Sequence, residues 1–237
     1  MTRPAEPGVH DRRRRRTSII WSRTADGYEI KATKWHDFYT RRGKIKLKDL
    51  EVGDELLVQS GKGAFGTEGS TELGVLLGLV TGDGHFTNRG NDQEAVVVNF
   101  WNEELKLADG VAAFINTLIG TASTNGRAYN VAPTAVAERN HAYIRSVILT
   151  RVLEQYGFTK ESKLRVPEVI WRGSGRLRSK ATCSALFQAD GTVNISGRRQ
   201  SCSVRLSSSY ESLLKDVQHV ACQLRGVCAH AAAPCRR

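Results

Sequence analysis

Two stretches of this chain end an apolar, helix-prone run in Asp-Gly, and they lie 107 residues apart. The first reads Leu76-Leu77-Gly78-Leu79-Val80-Thr81-Gly82-Asp83-Gly84, the second Cys183-Ser184-Ala185-Leu186-Phe187-Gln188-Ala189-Asp190-Gly191. Laid on each other, Leu79 matches Leu186, Gly82 matches Ala189 and the two Asp-Gly pairs coincide. A single Asp-Gly after a helix is an ordinary cap and turn. Two in matching order state a repeat, at a spacing of one compact subdomain.

The small residues make the repeat chemical. Gly78 and Gly82, like Ala185 and Ala189, stand four apart on one helix face, which lets two backbones approach closely. Helices packed through those faces bring Asp83 and Asp190 together at their ends. Adjacent carboxylates repel and call for a divalent cation. Oxygen donors suit Mg²⁺, which keeps waters and bridges to phosphate.

The remaining pattern is α+β. Residues 1–16 contain the run Arg12 to Arg16 and no periodicity, the mark of a disordered basic tail. Residues 17–60 hold short β-prone runs at Ser18–Trp21, Tyr28–Ala32, Lys44–Leu47 and Glu55–Val58, parted by Asp26-Gly27, Arg42-Gly43 and Gly53-Asp54. They predict a small all-β unit. A Gly-rich linker follows over 61–71. The first half of the repeat, 72–170, predicts a helix over 72–81 capped by Ser70 or Thr71, then a strand over 96–100. A helix from Glu103 capped by Asn102 comes next, then weak strands near 127–132 and 141–144, and a helix over 147–156 stopped by Gly157. The second half, 171–237, repeats helix, strand pair (192–195 and 203–206) and a helix from Ser209, and then stops.

Lys and Arg number 35 against 24 Asp and Glu, a formal net charge of +11. A field of that sign favours a polyanion such as DNA. The five cysteines are odd in number, lie late in the chain and include no C-x-x-C. That excludes a disulfide framework or zinc ribbon and points to a reducing, cytoplasmic setting. No apolar run reaches the ~18 residues of a membrane span, and no apolar stretch of a signal peptide follows the N-terminal basic run.

The paired blocks resemble those of LAGLIDADG, or dodecapeptide, homing endonucleases. The resemblance implies two αββαββα subdomains related by a pseudo-twofold axis, a monomeric pseudo-dimer whose sheets lie on double-stranded DNA. It also implies that Asp83 and Asp190 bind Mg²⁺ and cut both strands. Leu164-Arg165-Val166-Pro167-Glu168-Val169-Ile170 resembles the block between the two motifs, and Leu206-Ser207-Ser208-Ser209 with Leu213–Gln218 the block after the second. Upstream, Gly27–His36 resembles the intein block with a Thr-x-x-His pair, here Thr33 and His36, and Lys48–Asp54 the strand and turn behind it. This implies a partial Hedgehog/intein (Hint) splicing domain, with flanking host-protein segments as partners. The assembly resembles inteins of cobalamin-dependent ribonucleotide reductases.

Three departures from the family's pattern set further expectations. The chain begins with Met1, not the Cys or Ser nucleophile of a splicing junction, and its tail, Gly226–Arg237, has no His-Asn pair. The splicing domain is thus expected to be inactive. The lysine of the inter-motif block falls on Leu164; Lys163 is the neighbouring candidate, one residue out of register, which on a strand would face the other way. A second subdomain that stops early should leave unpaired strand edges and an exposed apolar face. Two other readings remain beside the intein-derived nuclease: a free-standing LAGLIDADG endonuclease, and a DNA-binding module that no longer cuts.

Overall fold

The computed structural model describes residues 19–59, 61, 66–67, 69–88, 93–122, 129–171, 176–197 and 201–224. The arginine run, residues 62–65 and 68 of the predicted linker, Cys228, Cys235 and the C-terminal tail lie outside the described residues. The chain divides between Val58 and Gln59 into two compact units.

The first unit is made of hairpins. Strand β1 (Ile19–Arg23) pairs with β2 (Glu29–Thr33), and β3 (Asp37–Thr40) with β4 (Gly43–Lys46), both antiparallel. Gly27 and Gly43 take φ of 87° and 105° in the two turns, a conformation that suits glycine. The run Glu55–Val58 forms no strand: Leu56 makes a single bridge to Thr40, and Arg41 N–H and Leu57 N–H bond Glu55 O and Tyr39 O. Strand β3 was not legible from its sequence, which does not alternate. It exists because Phe38 and Tyr39 pair with Ile45 and Lys44 across the hairpin.

The second unit opens with α1 (Thr71–Gly82), whose N-cap is Ser70: its Oγ accepts from Leu73 N–H at 3.2 Å. Strands β5 (Gly84–Asn88) and β6 (Glu94–Trp101) follow, then α2 (Leu105–Ala122), β7 (Thr134–Ala135), β8 (His141–Ser146) and α3 (Val147–Gln155). That order is αββαββα. The four strands form one antiparallel sheet in the order β5-β6-β8-β7. The expected strand near 127–132 lies partly outside the described residues; 129–132 form no strand, and Val131 is held by the Asn116 side chain through N–H and C=O bonds of 2.8 and 3.0 Å. Asn102 does not cap α2. It sits at φ 50° in a 3₁₀ turn, Asn102–Glu104, in which Glu104 Oε2 accepts from Trp101 N–H at 3.2 Å.

After a short helix α4 (Glu168–Trp171), α5 (Arg176–Asp190) leads into the hairpin β9 (Gly191–Ser196) and β10 (Ser201–Leu206), then α6 (Glu211–Gln223). The last helix starts two residues later than expected. One hydrophobic core serves both copies. It joins Leu73, Leu76, Leu77 and Val80 of α1 to Val96, Val98 and Phe100 of β6, Ile115 and Ile119 of α2, Leu186 of α5, and Leu213, Val217 and Val220 of α6. Helix α1 is apolar on every side because it is covered on every side. The hairpin β9–β10 is the exception: Val193, Ile195 and Val204 are 61%, 75% and 62% exposed. An open apolar face was expected there.

Candidate functional site

Helices α1 and α5 meet along their small residues. A Cβ placed on Gly78 would collide with the Thr182 carbonyl oxygen and lie 2.7 Å from the Ala185 methyl. One on Gly82 would lie 2.5 Å from the Ala189 methyl and 3.4 Å from Asp190 Oδ2. Glycines opposite alanines thus let the helices touch backbone to backbone, and the structure brings together all four predicted packing residues.

The Asp-Gly turns have their own logic. Asp83 ends α1 in a helical conformation, its N–H bonded to Leu79 O at 2.9 Å. Strand β5 then folds straight back over the last turn, so that a Cβ on Gly84 would stand 2.6 Å from Val80 Cα. A Cβ on Gly191 would collide in the same way with the Phe187 carbonyl. Each aspartate is therefore fixed at the corner between a buried helix and a strand.

Burial pushes the Asp83 carboxyl up to about 6, helped by the negative charges of Glu104 and Asp190 and opposed by Lys163. Burial also pulls the half-buried Lys163 ammonium below the usual lysine range, against the attraction of Asp190 and Asp83. Asp83, Asp190 and Lys163 thus form one electrostatic cluster. The copies are unequal, for Asp83 is half-buried and Asp190 exposed. Lys163 lies in a run of turns (160–164), not on a strand, so the alternation that would have turned it away does not operate. Its segment is anchored next door: Asp216 of α6 accepts from Arg165 Nε and Nη2 at 2.6 and 2.9 Å and from Val166 N–H at 3.1 Å.

Sequence reasoning missed Glu104 and Asn99. Glu104 gave no signal because its reach toward Asp83 depends on the 3₁₀ turn. Asn99, on β6, donates from Nδ2 to the Asp83 carbonyl at 3.2 Å and stands 3.3 Å from His85 Nδ1. Its Oδ1 lies 3.1 Å from His141 Nε2, and the His141 ring stacks on Trp101 at 3.8 Å. A polar and aromatic sheet face thus runs up to Asp83. Thr33 and His36 lie in the other unit, where His36 N–H bonds Thr33 O at 3.0 Å across a turn and the His36 ring meets Phe38 edge-on at 5.2 Å. Among the described residues, no three His, Cys, Asp or Glu side chains gather as a metal cage.

Over 212 residues the chain is 32% identical to the ribonucleoside-diphosphate reductase NrdEB subunit alpha of Bacillus subtilis (strain 168), and equally to that of Bacillus phage SPbeta. The alignment takes in 84% of this chain and 19% of each relative, so the chain spans about a fifth of the length of these curated relatives. Among solved structures, mesophilic variants of the homing endonuclease I-DmoI match at 16% identity and a TM-score of 0.42, covering 64% of this chain and 75% of that one. I-DmoI in complex with DNA and Ca matches at the same identity and TM-score over 64% and 70%. Residues 181–224, from α5 to the end of α6, match the model of the LAGLIDADG-like domain.

Proposed function

We propose that the chain is an intein-derived homing endonuclease that makes a Mg²⁺-dependent double-strand cut in DNA, with Asp83 and Asp190 as the metal-binding carboxylates. The observation that carries this reading is the α1–α5 seam, which holds two helix-end aspartates beside one ammonium. The residues fit a hard divalent cation. Burial, and after it like charge, disfavours the Asp83 carboxylate, and a cation between the carboxylates would reverse that balance. Two carboxylates suffice for Mg²⁺, which takes its other ligands from water and phosphate. When bound, it would supply an activated water and neutralise charge on the phosphodiester. Asp83 and Asp190 would hold the ion from two helix ends, and Lys163 balances their charge beside them.

The polar sheet face with His85, Asn99, His141 and Trp101 suits contact with base edges. The net charge of +11 suits the phosphates. Residues 17–60, with Thr33 and His36, are read as a partial splicing domain. Residues 72–170 and 171–237 are read as the two nuclease subdomains, and a ribonucleotide reductase as the host.

The test is a plasmid carrying the uninterrupted host gene, incubated with the chain in Mg²⁺ or in chelator. Wild type should linearise it only with metal, while Asp83→Asn and Asp190→Asn should lose cleavage of one or both strands yet still shift the DNA. If both variants cut as wild type does, the catalytic assignment fails. A wild type that shifts the DNA without cutting would leave the binding-module reading in its place.

A further inference from the structure

Four lysines of the first unit, Lys31, Lys34, Lys46 and Lys48, gather on its exposed indoles. Trp35, 55% exposed, has the ammonium groups of Lys34, Lys46 and Lys48 at 5.0, 5.6 and 5.2 Å from its ring. Trp21, 65% exposed, carries that of Lys31 at 4.3 Å. The backbone builds the Trp35 cluster from three places: the turn after β2, the end of β4 and the 3₁₀ turn that follows it. Leu47 N–H to His36 O at 2.8 Å and Lys48 N–H to Lys34 O at 3.1 Å hold these together.

Charge pairing in this unit is selective. Arg41 pairs with Glu55, Arg42 with Asp54, Lys44 with Asp37 and Lys48 with Asp49. Among the described residues no carboxylate pairs with Lys31, Lys34 or Lys46. Converging ammonium groups repel one another, and an indole at the surface offsets that by only about 0.5–1 kcal/mol per contact. The arrangement is therefore charged and pre-ordered at once. A partner with closely spaced negative charges would relieve the repulsion without having to order the side chains.

We propose that Trp35 with Lys34, Lys46 and Lys48 is a docking surface for the phosphodiester backbone of duplex DNA, additional to the Asp83–Asp190 site. The proposal rests on the endonuclease reading, since that reading supplies the duplex. Each lysine that meets a phosphate releases condensed counterions, so the surface adds affinity without sequence preference.

The test measures binding of the full chain to a random-sequence duplex over a range of salt concentrations. Lys34→Gln/Lys46→Gln should weaken binding and lower the slope of log affinity against log salt by about 2. Arg41→Gln/Lys44→Gln removes the same charge from paired cations and should lower the slope by less than about 1. Lys34→Arg/Lys46→Arg should restore the wild-type slope, which separates lost contacts from a misfolded unit. Trp35→Ala should weaken binding while keeping most of the slope. Equal slopes for the two glutamine doubles would overturn the proposal. So would a lysine double that loses only its binding to anionic phospholipid vesicles. Wild type that binds no duplex at all would remove the endonuclease reading as well, whereas binding with an unchanged slope in the lysine double removes this surface alone.

Discussion

Gly82 faces Ala189 across the seam so closely that a methyl on Gly82 would stand 2.5 Å from the Ala189 methyl carbon. Gly82→Ala must push α1 and α5 apart and carry Asp83 away from Asp190. The cost should be about 1–3 kcal/mol of stability, with a loss of cleavage of about 10²-fold from the misplaced carboxylate. Gly82→Ala/Ala189→Gly should recover much of both. A double-mutant cycle on melting temperature and cutting rate checks the coupling; simple additivity would sink the idea.

Asp83 gives the chain a pH signature. Its folded carboxyl sits at about 6 against an ordinary 3.8, so the fold favours the protonated form. Stability from this group is therefore full at low pH and is lost as pH rises from about 4 through about 6. The loss should be about 1–2 kcal/mol, discounted because the group is only half-buried. Asp83→Asn should abolish that decline and make the metal-free chain more stable than wild type at pH 7. Urea titrations at several pH values decide it.

Metal should reverse the same penalty. Mg²⁺ in excess over its dissociation constant should raise the melting temperature, by about 2.7 kcal/mol of stability at a hundredfold excess. The rise should vanish in Asp83→Asn/Asp190→Asn. Below about pH 6 the apparent affinity should fall by up to about tenfold per unit, as a carboxylate must first shed its proton. Calorimetric titration at pH 5 and pH 7.5 measures the difference.

Asp216 pins the segment that carries Lys163. Asp216→Ala strands the buried Val166 N–H and releases the exposed Arg165 guanidinium to solvent, so it should cost about 1–3 kcal/mol. It should also reduce cleavage more than binding, because Lys163 lies two residues from the anchor. A rate measured at saturating DNA separates the two effects.

The open face of β9–β10 is expected to limit solubility. Ile195→Thr/Val204→Thr should raise the concentration at which the chain aggregates and leave the melting temperature within about 1 kcal/mol equivalent, since those side chains are already in solvent. Light scattering against concentration tests this.

Much of the architecture was readable where a period or a cap spoke for itself. Ser70 announced α1, Gly157 closed α3, and the two Asp-Gly corners located the seam. What could not be read depended on tertiary partners. Glu55–Val58 has strand composition yet finds only one bridge. Asn102 has a capping side chain, but its Oδ1 accepts from Asn140 Nδ2 at 2.9 Å and its backbone sits at φ 50°. Lys163 was discounted by a strand rule that fails because its segment turns. Glu104 and Asn99 come near Asp83 from positions with no local pattern, Glu104 through the 3₁₀ turn after β6 and Asn99 because β6 lies beside β5.

The seam also bears on how such a chain ages. Its four small residues leave no spare volume, so a larger residue on one helix is tolerated only if the other helix yields. The halves are bound to drift together. In a lineage released from selection the seam would be an early casualty, because nearly every random replacement of glycine or alanine is bigger. Here all four positions are small while the two helices differ at most of their other positions, so the interlock constrains size and little else.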